Sequence, residues 1–104
     1  MDTKTKIRES AVAAVEEENW QEVYNCLHEA LLHLPTFAWI VDDEEWSNDE
    51  LREVCFPIGE AIYGKIGFEG MQILWYKIDE SLSSSGSGPL ERFWDGCGNG
   101  AWQA

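Results

Sequence analysis

A small all-α protein is what the sequence predicts. It should be a bundle of four to five helices that opens with an antiparallel helical hairpin and ends in an irregular Gly/Trp-rich tail. Three observations predict it. Trp20, Val23, Tyr24, Leu27, Ala30, Leu31 and Leu34 form one continuous apolar stripe at helical spacing. Phe68, Met71, Leu74, Trp75, Ile78 and Leu82 form a second. Between them, Ser47 followed three residues later by Glu50 reads as a capping box that opens another helix. A chain of 104 residues, 44% of them hydrophobic and six of them tryptophan, can bury one modest core.

In chain order, the first helix is expected from about Thr3 to Glu17, where Ile7, Ala11, Ala14 and Val15 share a face. The acids Glu16, Glu17 and Glu18 oppose the dipole at its C-terminus, so a break is expected near Glu18-Asn19. The second helix carries the stripe from Trp20 and ends at Pro35, because proline disfavours the helical state in the residue before it. Thr36 to Trp46 holds Phe37, Trp39, Ile40 and Val41 and is expected to run as a short extended segment across the hairpin. The third helix starts at Asn48. Leu51, Val54, Cys55, Ile58 and Ile62 give its apolar face, and Pro57 should kink or split it near Phe56. Gly64, Gly67 and Gly70 should close one helix and open the next, which spans about Phe68 to Leu82. The run SSSGSG reads as a flexible linker. Pro89 can begin a last helical turn. The organisation is thus an acidic helical domain over 1–82, a linker over 83–88 and a tail over 89–104, expected to dock Trp94 and Trp102 on the bundle or else offer them to a partner.

The opening hairpin resembles a single tetratricopeptide-type unit, with Asn19-Trp20 at the turn, Ala30 as a small residue in the second helix and Pro35 closing it. The family's aromatic and glycine positions in the first helix are here Ile7, Ala14 and Ala11. The resemblance covers about one third of the chain, and no second copy follows at the repeat period. It implies helix-hairpin packing, and the family's concave peptide groove does not carry over.

The net charge is −13, and it is uneven. From Glu9 onward four bases, Arg52, Lys65, Lys77 and Arg92, face nineteen acids. Such a field repels nucleic acid and anionic membranes and attracts basic surfaces. No basic stripe suits direct nucleic-acid binding. The first residues are polar and no run of about 18 apolar residues occurs, so neither a secretory signal nor a spanning helix is expected. Three cysteines, none in CxxC, fit reduced thiols in a cytoplasmic protein.

Motifs for chemistry are sparse. His28 and His33 lie five apart, about 140° around a helix, so they cannot share one metal as HExxH does. The acids at 42–45 neither alternate nor place a glycine as a calcium loop does. Cys97 in GCG has no base near it in sequence. No P-loop, GxSxG or zinc spacing occurs. Catalysis, metals and cofactors are therefore not expected.

Val41 to Glu50, VDDEEWSNDE, puts six acids around Trp46. The function this suggests is an acidic binding module that inhibits or regulates a basic protein, for instance a nucleic-acid-binding one. A nuclease-toxin immunity protein or a phage-encoded nucleic-acid mimic would be forms of it. Carboxylates steer the partner, and aromatic residues anchor it. The residues expected to carry this are Asp42, Asp43, Glu44, Glu45, Trp46, Trp39, Asp49, Glu50 and Glu53, with Trp94 and Trp102 as a second surface. The alternative is a structural or adaptor protein that assembles through the hairpin and tail, a homodimer being one form, with the charge serving solubility only. A pocket lined by Trp75, Tyr76 and Tyr63 would instead favour a ligand binder.

Overall fold

Residues 2–31 fold by rules local to the chain. Helix α1 (Thr3–Glu16) is capped by Asp2, whose carboxylate accepts from Thr5 N–H at 2.8 Å. It buries Ile7, Ala11, Ala14 and Val15. It ends where Glu18 N–H bonds to the Val15 carbonyl and Asn19 N–H to the Ala14 carbonyl, with Glu18 in the left-handed region at φ 56°. This pair of bonds is a Schellman motif, and its left-handed position is one that glycine favours. Asn19 also caps helix α2 (Trp20–Leu31) by accepting from Glu22 N–H. One residue thus ends one helix and starts the next, which makes the hairpin tight.

A computed structural model describes residues 2–40 and 44–104, the side chains of 38–40 excepted. After α2 the chain makes a 3-10 turn over Pro35–Ile40, then α3 (Asn48–Leu82), α4 (Ser84–Phe93) and the short α5 (Cys97–Gly100). Among the described residues there is no strand, and the architecture is the small all-α bundle. No helix among them is long and apolar enough to cross a membrane.

Three local expectations fail, each for a physical reason. The first part of the segment after α2 is a 3-10 turn over Pro35–Ile40 rather than extended, because bonds from His33 N–H to Ala30 and from Leu34 N–H to Leu31 tighten the chain before Pro35; residues 41–43 of that segment lie outside the described residues. Pro57 does not split α3, and the backbone stays helical through it. The carbonyl that loses its helical donor there belongs to Glu53, an exposed residue where water can take the bond. The break comes instead at Gly67, at φ 73° and ψ −171°, a region open essentially to glycine alone. The SSSGSG run is mostly helix rather than linker. Its small residues lie against α3: Ser87 is buried, its hydroxyl donates to Asp79 Oδ1 at 2.7 Å, and its carbonyl accepts from Trp75 Nε1 at 2.9 Å.

Helix α3 is the spine, packing on α1, α2, α4 and α5. Its first arm buries Leu51, Val54, Cys55, Ile58 and Ile62, and its second buries Met71, Leu74 and Ile78. The C-terminal residues lie on it. Trp94 is fully buried, and its Nε1–H donates to the Cys55 carbonyl at 2.9 Å. That approach needs Gly59, where a Cβ would lie 2.7 Å from the Trp94 indole and 2.9 Å from Cys97 Sγ. Arg52 donates to the carbonyls of Arg92, Phe93 and Asp95, taking up the C-terminal end of α4. Trp102 packs edge-on against Trp94 at 5.1 Å and donates to the Glu91 carbonyl at 3.1 Å.

Two substitutions test this account of the fold. Glu18→Gly should stabilise the protein by about 1 kcal/mol, since it relieves a left-handed residue and removes an acid from a helix C-terminus; a urea midpoint that falls would contradict it. Gly59→Ala should lower stability by about 2 kcal/mol through overpacking under Trp94, and an unchanged midpoint would show that the indole does not sit there.

Candidate functional site

The acidic stretch divides into a structural part and a surface part. Trp46 is 1% exposed and belongs to the core. Its ring stacks on His33 at 3.8 Å between centroids and 6° between planes, and Lys4 Nζ lies 5.5 Å over it. Its backbone N–H donates to the His33 carbonyl at 2.9 Å, and its Nε1–H donates to Glu44 Oε1 at 3.1 Å. The His33 Nδ1 in turn reaches the Glu44 carbonyl at 2.9 Å, which places the proton on Nδ1 because a carbonyl only accepts. The residue expected to anchor a partner is thus a plug that fastens the loop before α3 to the end of α2. His33, only 6% exposed, is its platform.

Glu50 is committed as well. Its carboxylate accepts from Ser47 N–H at 2.9 Å while its own N–H bonds to Ser47 Oγ, so the capping box forms. Lys4 Nζ pairs with its other oxygen at 2.6 Å. The Lys4 ammonium, then the Ser47 bonds, pull the Glu50 carboxyl down to about 2. The same hydrogen bond raises Lys4. Asp2 is lowered by its capping bonds to Thr5.

Of the other expected residues, Asp42 and Asp43 and the side chain of Trp39 lie outside the described residues. Glu44 and Glu45 are exposed. Asp49 and Glu53 are exposed and rim an open groove of about 610 Å³, together with Arg8, Arg52, Phe56 and Pro57. Two of the chain's few bases therefore sit beside them. Trp94 is buried at 0% exposure and presents no free indole surface in this fold, while Trp102, 6% exposed, shows only a small part of its ring. The expected set is therefore not one patch: it splits into three core tryptophans, Trp46 before α3 and Trp94 and Trp102 after α4, a helix cap and a scatter of exposed carboxylates.

The thiols are quiet. Burial pushes Cys26, Cys55 and Cys97 up to about 12, so each is held as the protonated, weakly nucleophilic form. Among the described residues no three His, Cys, Asp or Glu side chains gather as metal ligands.

A feature that sequence reading did not assemble lies on the other arm of α3. Phe68, Gln72, Trp75, Tyr76, Glu91, Trp102 and Gln103 line a hollow of about 170 Å³. Trp75 and Tyr76 were candidates for a pocket wall, and Tyr63 is not among its lining residues. Two ring pairs build it: Phe68 with Trp102 at 5.4 Å, and Trp75 with Tyr76 at 5.3 Å. Both indoles are pinned, Trp75 on the Ser87 carbonyl and Trp102 on the Glu91 carbonyl. Phe68, Gln72 and Tyr76 recur at helical spacing, which was legible. Their meeting with Glu91 and Trp102 depends on α4 folding back, which had no local signal.

No protein-family model, curated protein or solved structure matches the chain.

The capping network carries a pH signature. A folded-state carboxyl held at about 2 against an ordinary 4.5 contributes stability above the ordinary value that is lost as pH falls toward 2. The stability difference between the native protein and Glu50→Gln should be full above pH 4.5 and vanish by about pH 2. A difference that persists at the acid end would mean that the carboxylate's charge is not what matters.

Proposed function

We propose that the protein is an acidic protein-binding module whose partner is a basic protein surface, which it covers by occlusion. The observation that supports this is the state of the charges. Among the described residues there is one ion pair, Lys4–Glu50. Arg52, one of the few other bases, is spent on backbone carbonyls. The acids of α1, α2 and the turn between them, Glu9, Glu16, Glu17, Glu18, Glu22 and Glu29, are all exposed, as are Glu44, Glu45, Glu60, Glu69 and Glu80. A net charge of −13 on 104 residues is therefore displayed rather than neutralised internally. Such a field raises association rates with a cationic surface and falls off within a Debye length. Occlusion needs no catalytic group, which suits thiols held protonated by burial. A nucleic-acid-binding protein or a nuclease, as in an immunity or phage-inhibitor pairing, is a partner of this kind.

A second reading, an adaptor that assembles through an apolar face, is favoured by one observation. Ile73 and Tyr76 stand 60% and 58% exposed on neighbouring positions of α3. It predicts association that tolerates salt, since apolar contacts are not screened.

Capture from an extract of the protein's own cells separates the two. The first reading predicts basic proteins that bind at low salt and whose association slows at least tenfold between about 0.01 M and 1 M salt. It also predicts that Glu44→Gln, Glu45→Gln combined with Asp42→Asn, Asp43→Asn weakens capture while the fold persists. Capture that ignores both salt and the substitutions would overturn it.

A further inference from the structure

We propose that the hollow between the second arm of α3 and the C-terminal residues is a receiving pocket for an arginine side chain of the basic partner. The inference deepens the basic-partner reading and rests on it. Its chemistry is specific, where the acidic surface alone is not.

The size comes first. At about 170 Å³ the hollow is smaller than the roughly 300–1,000 Å³ of pockets for drug-sized ligands, and it suits one side chain. The walls are aromatic. Phe68 and Tyr76 are exposed, Trp75 is half-buried, and Trp102 forms the base. Ring faces attract a cation, most strongly when the site is partly desolvated. The rings do not have to be ordered by the ligand, because the Trp75 and Trp102 indole N–H groups are already held by backbone carbonyls at 2.9 and 3.1 Å.

The polar groups then choose among cations. Glu91 lines the hollow half-buried, and its carboxylate has no ion pair or hydrogen bond among the described residues, Trp102 bonding to its backbone carbonyl instead. Gln72 and Gln103 add two carboxamides whose oxygens accept. A trimethylated ammonium has no donors left for such a rim. A lysine ammonium is compact and strongly hydrated. A guanidinium is flat, stacks on rings and carries five donors in a fork that matches a carboxylate. A carboxylate with two amide acceptors around a ring-lined slot is complementary to that group. The acids Glu69 and Glu80, exposed on the same arm, add a field that draws in the basic residues flanking it.

The test uses the full chain, with N-acetyl-arginine amide, N-acetyl-lysine amide and the peptides hexaarginine and hexalysine as probes. Binding is read from the indole N–H signals of Trp75 and Trp102 in NMR titrations. Arginine amide should shift both signals, and lysine amide should bind several-fold more weakly. Glu91→Gln should weaken arginine binding roughly tenfold and Tyr76→Ala roughly threefold. Neither side chain belongs to the buried core, and an unchanged spectrum for the remaining indoles verifies the fold. Equal binding of the two amides, or binding indifferent to Glu91→Gln, overturns the pocket. The peptides test the underlying reading separately. If hexalysine and hexaarginine bind equally and both lose affinity in salt, the acidic module stands and the pocket falls. If neither peptide binds even at low salt, the basic-partner reading falls too.

Discussion

The fold depends on where four indole N–H groups go. Trp46, Trp94 and Trp102 bury large apolar rings, Trp75 half-buries its own, and a buried donor without an acceptor is costly. Each finds one: the Glu44 carboxylate, then the carbonyls of Ser87, Cys55 and Glu91. Three of these bonds tie the C-terminal third of the chain to itself or to α3. Trp94 is the deepest, and it reaches a helix carbonyl only because Gly59 leaves the space. A net bond is worth about 1 kcal/mol, while burying the ring contributes several times that by area. The bond's role is therefore to fix where the ring goes, and the burial supplies most of the stabilisation.

The same constraint sorts the aromatic residues into structural and available ones. Trp46 and Trp94 are enclosed by protein, one between His33 and Lys4, the other against α3 and Trp102. Neither has a face to give a partner. The second arm of α3 is different. Past the break at Gly67 its inner face packs Met71, Leu74 and Ile78, while Phe68, Ile73 and Tyr76 stay exposed. Apolar exposure beside the unpaired carboxylate that lines the hollow, Glu91, on an acidic molecule is the arrangement that gives the functional proposal its place.

What could be read from the chain was what is local. The stripe of α2, the Asn19 junction and the Ser47–Glu50 box act within one or two turns, and they form as their sequences indicate. Long-range compensation could not be read. Pro57 is tolerated where the carbonyl it strips belongs to Glu53, an exposed residue within reach of water. The SSSGSG run is helical because its small residues fit against α3 and Ser87 satisfies Trp75 and Asp79. Trp46 looked like a surface anchor among acids because nothing in its own neighbourhood names its platform, His33, thirteen residues earlier. In each case the deciding partner lies on another element. The hollow was hidden in the same way, since its walls come from residues 68–76 and its floor from 91–103.

Hydrogen exchange of the indole N–H protons tests most directly whether these tryptophans serve the fold. Exchange of a bonded, buried donor requires opening of the unit that holds it. The Nε1–H of Trp94 should exchange as slowly as the backbone amides of α3 around Cys55, with Trp46 and Trp102 also strongly protected. If the Trp94 and Trp102 protons exchange as fast as a free indole while the α3 amides stay protected, the C-terminal segment is not docked. The division of the aromatic residues into core and surface would then be wrong.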